Sequence, residues 1–95
     1  MKISVEFLSM PLVAKIIGSK KTTIDITGKT INDLILEITD KYGEKMRHFL
    51  FDDAGKLDHY FQVYLNNKEK IHREKMDKTL QEGDKVTIMM LIAGG

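Results

Sequence analysis

The chain has no cysteine, no tryptophan, a single proline, and no apolar run near the ~20 residues that a membrane-spanning helix needs. Without cysteine there is no disulfide, no thiolate metal ligand and no protein thiol to act as a nucleophile. That composition suits a reducing cytoplasm, the expected compartment. With Pro11 alone and no Ser/Gly-rich stretch there is no linker, so the 95 residues are expected to form one domain. Charge of one sign is also scarce: 15 basic and 14 acidic residues leave a net +1. The densest basic cluster, Lys20-Lys21 with Lys15 nearby, falls short of the stripe a nucleic-acid binder shows. Neither nucleic acid nor a membrane is an expected partner. Met1-Lys2-Ile3-Ser4-Val5-Glu6 carries its charges inside the apolar run and reads as a strand, not as a signal peptide. What is present is 42% hydrophobic residues, enough for one small core.

Ile3, Val5 and Phe7 alternate with polar residues, the period of a half-buried strand. Pro11 opens a short helical segment with Leu12, Val13, Ile16 and Ile17 on its apolar side, and Gly18 stops it. Ile24 and Ile26 alternate with Thr23, Asp25 and Thr27 as a second strand. The main helix is expected over Ile31–Tyr42, with Ile31, Leu34, Ile35, Ile38 and Tyr42 at helical spacing. Thr30 is its N-cap, Asp33 sits at the N3 position of a near capping box, and Gly43 follows its last turn. Glu37 and Lys41 are spaced as an i,i+4 ion pair. Residues 44–60 give no clear period, although Met46, Phe49, Leu50 and Phe51 must bury something and Asp52-Asp53-Ala54-Gly55 reads as a turn. Phe61, Val63 and Leu65 alternate as a third strand; Asn66-Asn67 suits a tight hairpin turn, and a short strand follows around Lys70-Ile71-His72. Leu80 is expected to plug the core, and Glu82-Gly83-Asp84 is a turn before a last strand from Lys85 to about Ile92. The order predicts an α+β fold with a helix packed on a mixed sheet.

The last strand is apolar on both faces. Val86, Ile88 and Met90 point one way, while Met89 and Leu91 point the other, beyond Thr87. Either the sheet is covered on both sides there, or Met89 and Leu91 form an exposed patch of the kind that marks a partner site. Ala93-Gly94-Gly95 follow. With Gly at about 7% of average usage, a terminal pair has odds of roughly 1 in 200. Such a tail has no Cβ on its last two residues and can enter a narrow channel. A frayed end is the plain alternative.

Other candidate sites read as structure. His48, His59 and His72 show no metal-ligand spacing, so no metal is expected. Asp52, Asp53 and Asp58 lack the spacing of a calcium loop and suit a solvated turn. Asp33, Glu37 and Asp40 lie near one wet helical face, Lys20-Lys21 suits a solvated loop, and Ser9 and Ser19 have no motif-placed His or Asp partner.

Taken together the chain resembles the ubiquitin-like β-grasp sulfur carriers, the MoaD-like (small subunit of molybdopterin synthase) and ThiS-like proteins of archaeal type. The resemblance covers nearly the whole chain. It rests on Ile3–Phe7, Pro11–Gly18, Thr30-Ile31-Asn32-Asp33-Leu34 through Lys41-Tyr42-Gly43, and Val63-Tyr64-Leu65-Asn66. Its most specific part is Thr79-Leu80-Gln81-Glu82-Gly83-Asp84-Lys85-Val86-Thr87-Ile88 running to Ala93-Gly94-Gly95. The chain departs from many members in having Met90 and Leu91 where prolines precede the tail. The resemblance implies a β-grasp sheet of four to five strands, first and last parallel and adjacent, with one main helix across one face. It implies a β-grasp domain over residues 1–92 and a flexible tail over residues 93–95. The implied chemistry is adenylation of Gly95 by an ATP-dependent partner enzyme and its conversion to a thiocarboxylate. A sulfurtransferase or persulfide donor would supply the sulfur, and the recipient would be molybdopterin on the large subunit of its synthase. The chain itself would be a carrier without catalytic residues, cofactor or metal. Ala93 and Gly94 would form the tail, and Met89, Met90, Leu91 and Ile92 would dock the partner. The alternatives are a ubiquitin-like modifier joined through Gly95 to target lysines, or a sulfur donor for tRNA thiolation or thiamin synthesis.

Overall fold

A computed structural model describes residues 1–91. Its elements are β1 (Lys2–Leu8), α1 (Pro11–Ile17), β2 (Lys21–Asp25), α2 (Ile31–Tyr42), α3 (Glu44–Leu50), β3 (Phe61–Leu65), β4 (Glu69–Ile71), a 3-10 turn (Arg73–Lys75) and β5 (Lys85–Met90). The strands form one sheet in the order β2-β1-β5-β3-β4. The central pair, β1 and β5, is parallel and the other neighbours are antiparallel. This is the β-grasp fold, with the first and last strands side by side.

Period two sorts the side chains into two faces. Phe7, Ile88, Val63 and Ile71 lie in register across four strands, and Val5, Val86 and Leu65 form the next row. All seven are buried, and they share one core with Met10 and Val13 near α1, Ile31, Leu34, Ile35 and Ile38 of α2, and Met46 and Leu50 of α3. Each such side chain contributes about 1.5–3 kcal/mol on burial. The opposite face carries Ser4, Glu6, Leu8, Gln62, Tyr64, Lys85, Thr87 and Met89.

The α2 start is a full capping box. The Asp33 N–H donates to Thr30 Oγ1 at 3.1 Å, and Asp33 Oδ2 accepts from the N–H groups of Thr30 (3.1 Å) and Lys29 (2.9 Å). The next donors are taken as well: Ile31 N–H bonds the Lys78 carbonyl and Asn32 N–H the Met76 carbonyl. The segment before Leu80 therefore closes this helix end, and Leu80 is buried as expected.

Four expectations change. β2 spans Lys21–Asp25 and not residues 23–27, because its ladder follows β1, with Lys2 opposite Asp25 and Glu6 opposite Lys21. Beyond it, the N–H groups of Thr27 and Gly28 donate to the Glu37 carboxylate (both 3.0 Å), which turns the chain toward α2. Glu37 is thus a backbone clamp and not the partner of Lys41, whose ammonium lies 5.5 Å from the Tyr42 ring centroid. Two carboxylates of the supposed wet face are committed to structure, Asp33 capping α2 and Glu37 clamping the turn, while Asp40 stays solvent-exposed as expected and pairs with Arg47 at 3.2 Å. Residues 44–60, unreadable by period, begin with α3, launched by Gly43 at φ 93° and buried through Met46 and Leu50. In the Asp52–Gly55 turn, Asp52 Oδ1 accepts from Ala54 and Lys56 N–H (2.9 and 3.0 Å) and Asp52 Oδ2 from Arg73.

Candidate functional site

The position of the chain's exit is decided at Gln81–Lys85. The Glu82 carboxylate accepts the Lys2 N–H (3.1 Å), and the Gly83 N–H donates to the Lys2 carbonyl (2.9 Å). Gly83 has φ 84°, a conformation that glycine adopts without strain. Asp84 uses both carboxylate oxygens, accepting from the Gln81 N–H (2.8 Å) and from Asn66 Nδ2 (3.1 Å). Its carbonyl accepts the Ser4 N–H at 3.0 Å, the start of the parallel ladder. Asn66, in the left-handed region at φ 53°, accepts the Lys85 N–H through Oδ1 (2.8 Å). The Glu-Gly-Asp-Lys turn thus ties β5 to β1 on one side and to the Asn66-Asn67 hairpin on the other.

From there β5 crosses the middle of the sheet and delivers the chain at the edge where β1 ends and β3 begins. Leu8 lies opposite Met89, and Phe61 opposite Met90. The Leu91 N–H donates to the Tyr60 carbonyl at 2.7 Å, which prolongs the pairing past β5. Leu91 is 45% exposed, Tyr60 52% and Leu12, just beyond the end of β1, 50%. Among the described residues, three of the four exposed large apolar side chains thus belong to segments that meet this edge, the fourth being Leu36 on α2.

The expected docking residues separate. Met89 is half-buried on the open face between Leu8 and Gln62, and Leu91 is exposed. Met90 is half-buried and packs against the core beside Phe61. Ile92, Ala93, Gly94 and Gly95 lie outside the described residues. Two-sided apolarity of β5 therefore has two causes: Val86, Ile88 and Met90 face the core, while Met89 extends an apolar spot on the open face. Leu8 belongs to that spot and was missed. Its signal was present, since Leu8 follows Ser4 and Glu6 in phase and is the apolar residue on the polar side of β1.

The rest of the open face is polar. Glu6 sits between Lys85 Nζ (3.0 Å) and Lys21 Nζ (3.9 Å). The hydrogen bond from Lys85 holds its carboxyl below the ordinary value, against the opposing effect of burial. Tyr64 Oη donates to Gln62 Oε1 at 3.0 Å. Thr87, between Glu6 and Tyr64, buries its hydroxyl with no hydrogen-bond partner among the described residues. Among the described residues, no group of three or more His, Asp or Glu side chains is placed to hold a metal ion. No helix among them is long and apolar enough to cross a membrane. The arrangement offers a contact surface around a chain exit.

The sequence model of the ThiS family matches residues 13–95, from α1 through the glycines. The chain belongs to the ThiS family. These are ubiquitin-like sulfur carriers, small proteins that work with partner enzymes. A protein of Archaeoglobus fulgidus provisionally named a sulfur carrier is 28% identical over 72 residues, covering 76% of this chain and 81% of that one. In three dimensions this ThiS-family chain superposes on small archaeal modifier protein 1 of Haloferax volcanii with a TM-score of 0.80 at 19% identity, over the full length of both. It also superposes, with a TM-score of 0.73 at 22% identity, on a chain of the Amycolatopsis orientalis BexX/CysO complex, over 98% of this chain and 99% of that one.

Proposed function

We propose that this ThiS-family chain carries sulfur as a thiocarboxylate on Gly95. A carboxylate is a poor electrophile until one oxygen becomes a good leaving group. In the proposed cycle a Gly95 carboxylate oxygen attacks the α-phosphate of ATP on a partner enzyme, and pyrophosphate leaves. Hydrosulfide, released from a sulfurtransferase or persulfide donor by a thiol reductant that is oxidised to a disulfide, then attacks the acyl carbon, loses its proton, and displaces AMP. The sulfur passes to an acceptor, for which we propose molybdopterin on the large subunit of its synthase. ATP and any metal it needs reside on the partner, and the chain acts as co-substrate in the cytoplasm. Met89 and Leu91 dock the partner and Ala93-Gly94 thread its channel.

One observation carries this reading: the family match extends through Gly95, beyond a β5 whose end bears the exposed Leu91 beside the exposed Tyr60. The test is intact mass after incubation with the adenylating enzyme, ATP and a sulfur donor. The expected product has one oxygen replaced by sulfur, located at Gly95 by fragmentation. An unchanged mass with an enzyme proven active on the chain, or an isopeptide between Gly95 and a lysine as the sole product, overturns it.

A further inference from the structure

A second apolar surface lies beside the exit, between α1 and α3. It is an open groove of about 740 Å³ lined by Leu12, Lys15, Ile16, Lys45, His48 and Phe49. Leu12, Ile16 and Phe49 supply the apolar floor. Ile16 and Phe49 are partly buried against the core, whereas Leu12 faces solvent. Lys15, Lys45 and His48, all exposed, supply the rim. Among the described residues, no carboxylate lines it. Glu44, one turn before His48, is already shared between Arg47 Nε (3.6 Å) and His48 Nε2 (3.7 Å). In a chain whose charges nearly cancel, Lys15 and Lys45 make a local excess of cations around apolar surface.

The floor of the groove is linked to the end of β5 through the core. The Phe49 ring meets Phe61 edge-on, with centroids 5.5 Å apart, and Phe61 is the register partner of Met90.

We infer that the α1/α3 groove docks a segment of a partner protein that presents an apolar side chain flanked by carboxylates. The apolar side chain covers Leu12, Ile16 and Phe49; the carboxylates meet Lys15 and Lys45. That this partner is the one that processes the tail rests on the function proposed above; the groove's chemistry does not. The two readings fail separately, since peptide binding reads the groove and the mass of Gly95 reads the carrier chemistry.

The probes are two synthetic helical peptides with the same leucine stripe, one flanked by glutamates and one by lysines, titrated into the ¹⁵N-labelled full chain. The expected result is that the glutamate peptide shifts the amides of Leu12, Ile16, Lys45 and Phe49, while the lysine peptide binds at least threefold more weakly. The double variant K15E/K45E should lose about three- to tenfold in affinity for the glutamate peptide and gain affinity for the lysine peptide. Leu12→Ser should weaken both, and its amide spectrum checks that the fold is kept; Lys15→Glu alone serves if it is not. Equal binding of both peptides, binding of neither, or shifts confined to Leu8, Gln62 and Met89 overturns the inference. So does self-association through these residues that excludes the peptide, which assigns the groove to a second copy. Sedimentation with phosphatidylserine vesicles without peptide binding assigns it to a lipid surface and overturns it too.

Discussion

Gly28 sits where a Cβ would lie 2.4 Å from the Cβ of Asp33, a contact that real side chains do not make. Its backbone passes between two carboxylates that hold the same turn, with Glu37 taking its N–H and Asp33 those of Lys29 and Thr30. Gly28→Ala should therefore displace Asp33 and cost the cap, about 0.5–2 kcal/mol. In urea denaturation this appears as a lower midpoint. A thermal midpoint falls by about 4–8 °C per kcal/mol in a domain of this size. Thr30 and Asp33 were legible as a cap because the spacing of a capping box is local. Glu37 was not, since its partners are backbone donors 9 and 10 residues away and only the folded turn brings them to it. At Gly95 the prediction is chemical. Deleting it should leave the urea midpoint unchanged and abolish sulfur loading in the mass assay; a large fall in stability would make the tail structural.

Among the elements, α2 and β5 carry most of the consequence. The α2 cap titrates. Backbone N–H groups of Lys29 and Thr30 hold the Asp33 carboxyl below its ordinary value of 3.8. The stabilisation from this lowering is fully present above the unfolded chain's value and is lost as the pH falls through the folded one. We expect the Asp33 carboxyl carbon to titrate below 3.8 in NMR, and Asp33→Asn to flatten the acid limb of the stability curve. A midpoint at or above the ordinary value refutes the cap geometry. For β5 the decisive element is the turn before it. Asp84→Ala removes the acceptors of Gln81 N–H and Asn66 Nδ2, at about 1–3 kcal/mol, and should speed hydrogen exchange of the Ser4 amide, whose acceptor is the Asp84 carbonyl. The strands β1 and β3 and the helix α2 were readable because each buries one face and shows its period. The α3 helix was not: seven residues with two fully buried side chains, Met46 and Leu50, are too few to display a period.

Over the whole molecule the prediction concerns the open face. Met89 is half-buried beside Leu8, with one side of the sheet already filled by the core. Met89→Glu should keep the native amide spectrum and shift the thermal midpoint by a few degrees at most, while sulfur loading by the partner enzyme falls at least tenfold. Loading at the native rate removes Met89 from the docking surface. Leu36→Glu, at an exposed position on α2, serves as the control expected to change neither. What the sequence by itself determined is what local spacing and covalent chemistry can encode: the α+β class, the cap of α2, the Asn66-Asn67 and Gly83-Asp84 turns, the absence of cysteine, and a pair of glycines after an apolar strand. The tertiary structure decided which way that apolarity points and what surrounds it. Only the parallel pairing of β1 with β5 sets Leu8 beside Met89, and only the packing of α1 and α3 on one core brings Lys15 and Lys45 to one groove. Such contacts join residues far apart in the chain, so no local period or spacing reports them; they exist once burial of a shared core has fixed the register.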